Sequence, residues 1–129
     1  MKLCVDTCAY TALQHGNESV LELFDTCDEL IFPVTVVGEL FFGFSNGSRY
    51  AENLRMCKSF LEKSDAKIVD ATLETAYRYG TLASTLKRNG TPIPQNDIWI
   101  AATAMEHGVR LATLDSDFKA VPGLLLELV

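Results

Sequence analysis

Five short apolar runs divide the chain, and each is too short to be anything but a brief strand. They are Lys2–Asp6, Glu29–Pro33, Lys67–Val69, Arg110–Thr113 and Leu124–Leu128. Between them lie segments whose apolar residues recur at helical spacing. Thr7–Gln14 reads as a short helix, followed by a turn at His15–Asn17. Glu18–Cys27 repeats its apolar residues at Val20, Leu21, Phe24 and Cys27. A helix N-capped by Thr35 carries Val36, Val37, Leu40, Phe41 and Phe44, then stops at Ser45-Asn46-Gly47. Tyr50–Lys63 is amphipathic, Ala71–Asn89 is a long helix, and Asn96–His107 is a further one closed by Gly108. Thr91–Gln95 holds two prolines and must be a loop, and Asp115–Phe118 is a loop or single turn. Short strands alternating with helices imply a three-layer α/β fold. Its centre is a mostly parallel sheet of four to five short strands, flanked by helices.

The chain has 129 residues, which suits one domain over its whole length. No apolar stretch reaches the roughly 20 residues that span a membrane. A carboxylate at position 6 breaks the first apolar run, so a signal peptide is not expected and the cytoplasm is. None of the cysteines forms a CxxC pair and both histidines lie far from them, so structural zinc is not expected. Cys4, inside the first strand pattern, reads as a small buried hydrophobe. The net charge of −6 is unevenly spread. One basic residue faces seven acidic ones in residues 1–45, eight face five in 46–90, and two face five in 91–129. The middle third could supply phosphate contacts, although a solvated helix face explains the same charges equally well.

Four acids carry the chemistry. Asp6 and Asp115 each leave a strand pattern, and Glu39 and Asp97 each sit early in a strongly apolar helical pattern. Ligands gather at the carboxyl ends of the strands in such sheets. Taken singly, each acid has an ordinary role. Asp6 and Asp97 can cap helices, Glu39 can be exposed, and Asp115 and Asp117 can form a turn. Taken together at one end of a fold they repel one another, and a hard divalent cation such as Mg²⁺ or Mn²⁺ is the natural counter-charge.

Four blocks, VDTCAY, GEL, RNGTPIPQNDIWIAATAMEHG and RLATLDSDFKAVPGL, together resemble the PIN-domain ribonucleases. Within that family they resemble the VapC-type toxins of toxin–antitoxin pairs, over nearly the whole chain. The resemblance implies a PIN-like fold and a metal site of Asp6, Glu39, Asp97 and Asp115, with Asp117 as an addition. Thr7, Asn96 and Thr113 are the supporting residues, Thr7 by orienting Asp6. It also implies hydrolysis of an RNA phosphodiester with one or two Mg²⁺ or Mn²⁺ ions, leaving a 5′-phosphate and a 3′-hydroxyl. Glu39 would hold a water on the metal or serve as general base. Candidates for RNA contacts are Arg49, Arg55 and Lys58 at helical spacing, with Lys87 and Arg88 before the proline loop.

A homodimer and a small antitoxin whose tail enters the acidic site are the implied partners. Phe41, Phe42 and Phe44 fall at different angles around one helix and cannot all face one core, which points to an interface there. A haloacid-dehalogenase-type phosphatase would want a second Asp two positions after the first, where this chain has Cys8. A receiver domain would want a Lys after a late strand, and none follows convincingly from Asp70 onward. The remaining alternative is a non-catalytic PIN-like scaffold that binds RNA or a protein.

Overall fold

In the computed structural model, which describes residues 1–129, β1 (Lys2–Val5) is the central strand of a five-stranded sheet. β2 (Glu29–Pro33) and β3 (Lys67–Val69) lie on one side of it, β4 (Arg110–Thr113) and β5 (Leu126–Leu128) on the other. Every pairing is parallel, so the expected "mostly parallel" sheet is wholly so. Leu3, Cys4 and Val5 are all fully buried. Successive strand residues point to opposite faces, so both faces of the sheet are covered.

The cover comes from α1 (Thr7–Gln14), α2 (Glu18–Asp25), α3 (Val34–Ser45), α4 (Tyr50–Lys63), α5 (Leu73–Arg88) and α6 (Gln95–Glu106). A 3-10 turn at Ser116–Ala120 links β4 towards β5. Tyr10 of α1 meets Phe60 of α4 and Phe32 of β2 edge-on, with ring centroids 5.4 and 6.3 Å apart. No helix is long and apolar enough to cross a membrane.

Local chemistry sets most boundaries. Asp6 caps α1, so β1 ends at Val5 rather than at Asp6. The Asp6 amide still donates to the Ala112 carbonyl at 3.0 Å, which carries the β1–β4 ladder one step further. Thr35 is not the cap of α3. Pro33, at φ −56 and ψ 139, turns β2 into the helix with no side-chain cap, and Thr35 lies inside the first turn with its hydroxyl buried and unpartnered. α5 starts at Leu73 rather than Ala71 because Thr72 and Thr75 form a reciprocal cap. Both threonine hydroxyls also donate to Glu106, at the far end of α6. Tyr79 and Trp99 stack at 4.2 Å between the same two helices. These contacts fix α6, whose first turn carries Asp97. α6 begins one residue before the expected Asn96, at Gln95. Gly108, at φ +65, turns the chain from α6 into β4 in a conformation that L side chains rarely adopt.

The two rims of the sheet differ in charge. At the amino end, Glu29 lies between Lys2 (3.8 Å) and Lys67 (3.6 Å), and Arg110 faces Glu127 at 3.6 Å. These exposed pairs contribute little stability. They do neutralise that rim.

Candidate active site

The strand order reverses between β1 and β4. Connections leave β1 towards β2 on one side, and β4 returns on the other. Asp6 follows β1 and Asp115 follows β4, so the two acids flank the crevice at the carboxyl end of the sheet. Glu39, from the second turn of α3, and Asp97, from the first turn of α6, complete its walls. All four line one open depression of about 530 Å³, together with Thr7, Cys8, Thr11, Ala12, His15 and Leu114.

Asp6 is 5% exposed and heavily hydrogen-bonded. Its Oδ1 accepts from the Thr7 amide at 2.8 Å. Its Oδ2 accepts from the Thr113 hydroxyl at 2.7 Å and from the Cys8 thiol at 3.2 Å. Thr113 in turn accepts from the Asp115 amide at 3.0 Å, and Asp115 Oδ1 accepts from the Asp117 amide at 2.9 Å. One chain of bonds therefore runs from the end of β1 to the turn after β4. The Thr7 hydroxyl donates not to Asp6 but to Glu39 Oε1, at 3.1 Å. Thr7 thus orients two carboxylates, one through its amide and one through its side chain.

The electrostatics follow from that convergence. Burial first, and then the charges of Asp6, Asp115, Glu39 and Asp117, push the Asp97 carboxyl up to about 6. Burial also raises Glu39, with Asp6 adding to the effect and the Thr7 hydroxyl opposing it. None of these five carboxylates takes part in any ion pair of the molecule. Burial holds the Cys8 thiol above its ordinary range, so it is an S–H donor. No three carboxylate, thiol or imidazole groups close into a finished metal cage.

Asn96 is exposed beside Asp97 and does not line the depression. Asp117 does not line it either, but its charge reaches Asp97. The basic residues are dispersed. Arg49 lines a groove of about 570 Å³ between α1, α3 and α4, which shares Thr7, Thr11, His15 and Glu39 with the acidic depression. There Arg49 is held by Glu52 in a two-point contact at 2.6 and 2.9 Å. Arg55 and Lys63 line the next groove, which shares Gln14 and Met56 with the first. Lys58 is exposed and lines neither. Arg88 lines a separate hollow on α5, and neither it nor Lys87 lines the acidic depression. Cys8, His15 and Lys63 also border these hollows, and nothing in their local sequence pattern tells which crevice a side chain borders. Phe42 is 70% exposed while Phe41 and Phe44 pack together at 6.2 Å, so the three phenylalanines do diverge.

Several classes of α/β protein place an acid-lined crevice at the switch point of a parallel sheet. The PIN domain model matches residues 3–124, and the chain belongs to that family. Its relatives there are of the VapC type. It is 34% identical over 128 residues to Ribonuclease VapC1 of Rickettsia felis, covering 96% of this chain and 93% of that one. It is 27% identical to the tRNA(fMet)-specific endonuclease VapC of Salmonella typhimurium, covering 97% and 94%. Its fold superposes with a TM-score of 0.89 on VapBC2 from Rickettsia felis bound to a DNA fragment, at 27% identity, covering 100% of this chain and 99% of that one.

Proposed function

We propose that the chain is a metal-dependent endoribonuclease, the toxin of a VapBC-type pair, which cuts RNA at the Asp6–Glu39–Asp97–Asp115 cluster. The observation that carries this reading is Asp97, half-buried against four other carboxylates with no cationic side chain to balance them. The donor set fits Mg²⁺ or Mn²⁺. It is all oxygen, charged, and open on one side. Mg²⁺ keeps several waters and takes only a few carboxylates, so it does not require a closed protein cage. Asp6, Asp97 and Asp115 would hold it, with Glu39 and Asp117 at the periphery. Once bound, the cation supplies Lewis-acid polarisation of the phosphate and activates water.

The chain's own groups do the rest. Hydrogen bonds fix the Asp6 carboxylate before any ligand arrives. Glu39, with its raised pKa and the Thr7 hydroxyl orienting it, is placed to take a proton from the attacking water. In-line attack leaves a 5′-phosphate and a 3′-hydroxyl. The grooves that continue from the site past Arg49 to Arg55 and Lys63 offer the RNA strand its phosphate contacts. The likeness to a VapBC complex supports an antitoxin protein as partner, and a homodimeric toxin belongs to the same proposal. A cytoplasmic location goes with an RNA substrate.

The test is incubation of the antitoxin-free protein with host RNA, with Mg²⁺, Mn²⁺ or EDTA, followed by mapping of new 5′ ends. Metal-dependent cuts at a few sites, absent from Asp97→Asn, are expected. No new ends from folded protein with either metal would favour a binding scaffold instead. The relative that acts on tRNA(fMet) makes that RNA the first to examine individually.

A further inference from the structure

Position 8 is a cysteine where one class of phosphatase has an aspartate, and Cys8 has no part among the carboxylates that would hold a metal. Its contacts give it a part of another kind. The Cys8 thiol donates to Asp6 Oδ2 at 3.2 Å, and its sulfur accepts from the Leu114 amide at 3.4 Å. It also lies 3.3 Å from the Thr113 hydroxyl oxygen, which donates to the same Asp6 oxygen. Cys8 and Leu114 are 106 residues apart, and Leu114 immediately precedes Asp115. The thiol therefore spans the β1–β4 crevice from the Asp6 side to the Asp115 side.

A carboxylate offers about four lone-pair directions. On Asp6, Oδ2 accepts two donors, from Cys8 and Thr113, and Oδ1 accepts one, from Thr7. What stays free lies on Oδ1. The pattern of donors thus decides which oxygen of Asp6 is offered to the crevice. A carboxylate held only by Thr7 and Thr113 keeps a free lone pair on Oδ2 as well as on Oδ1, so a cation can be shared through either oxygen.

We propose that Cys8 is a positioning residue of this site: it commits Asp6 to present Oδ1 and ties the backbone before Asp115 to the same point. Its role rests on the metal-site reading above. The thiol is not a metal ligand in this scheme, because it is spent on Asp6 and Leu114. Groups that orient metal ligands in this way typically change metal affinity 10- to 100-fold when removed.

The test compares Cys8→Ala, Cys8→Ser and wild type by Mn²⁺ titration, with cleavage and thermal melting measured beside it. Cys8→Ala should weaken Mn²⁺ binding about 10-fold or more and recover most of its kcat at saturating Mn²⁺. Cys8→Ser, which restores a donor and an acceptor, should bind Mn²⁺ within about threefold of wild type. Both should melt within a few degrees of wild type, which separates positioning from a general loss of structure. Equal Mn²⁺ affinity in Cys8→Ala and wild type would overturn the proposal, as would a serine variant as weak as the alanine one. A wild-type chain that binds no Mn²⁺ would overturn the metal reading instead. The thiol would then be judged in the metal-free protein by a double-mutant cycle with Thr113→Val. Coupled losses of stability support a shared hold on Asp6, and additive losses remove it.

Discussion

The Thr113 hydroxyl donates to Asp6 Oδ2 at 2.7 Å, joining two residues 107 positions apart in the chain. Both groups are largely withdrawn from solvent: Thr113 is fully buried and Asp6 is 5% exposed. The same hydroxyl oxygen accepts from the Asp115 amide. Thr113→Val keeps the shape and removes both bonds. It should destabilise the metal-free protein by about 1–3 kcal/mol, because it strips a donor from a buried carboxylate and a partner from an amide. That corresponds to a fall of roughly 4–11 °C in melting temperature. Thr113→Ser should keep most of the loss from appearing. Thermal melts of the three proteins in EDTA decide it, and a valine variant as stable as wild type would show that the bond does not contribute.

Asp97 makes the metal-free protein sensitive to pH in the opposite sense to an ion-paired aspartate. Its folded value of about 6 lies above the ordinary 3.8, so between these values the folded state holds a proton that the unfolded state has lost. Stability therefore falls as pH rises from about 4 to about 6, and the full penalty remains above 6. The side chain is partly solvated, so screening reduces the penalty to about 1–2 kcal/mol. Asp97→Asn should thus melt a few degrees above wild type at pH 7.5 without metal, with the gap closing near pH 4. The same variant should lose at least about 100-fold in metal-dependent cleavage. A variant less stable than wild type at pH 7.5 would show that the acids do not strain the fold.

Charge position separates two pairs of basic residues. Arg55 and Lys63 border the groove that leads from the site, whereas Arg88 borders a hollow on α5. Arg55→Glu with Lys63→Glu should weaken RNA binding and reduce the salt slope by about 1.4 if both contact phosphates of a single strand. Lys87→Glu with Arg88→Glu should change both quantities less. Filter binding across a salt series compares them, and a larger effect from the second pair would redirect the RNA path to α5.

Much of this was legible in the residues. Asp6, Glu39, Asp97 and Asp115 stood out because each ends an apolar run or opens an apolar helix, and period and punctuation locate such points. The strand segments followed from the same signals, to within a residue or two at most ends. Strand order did not follow. That β4 lies beside β1 depends on which faces pack, and Cys8, Thr113 and Leu114 meet only because of it. Thr35 misled as a cap because Thr is a strong N-cap residue, while Pro33 had already set the backbone of the turn. Arg49, Arg55 and Lys58 share helical spacing, yet spacing alone does not say that a neighbouring Glu52 holds Arg49 or which groove receives Arg55.

The paired rim at the amino end of the sheet bears on how the molecule meets its target. Lys2, Glu29, Lys67, Arg110 and Glu127 largely cancel there, whereas the opposite end carries five carboxylates with no cationic partner. A metal-free molecule therefore turns its working end away from a polyanion within a screening distance of about 8 Å. If the site takes a divalent cation as proposed, loading it would weaken that aversion and raise the rate of encounter as well as the rate of cutting. Arrival and chemistry would then share one trigger, and high salt would uncouple them.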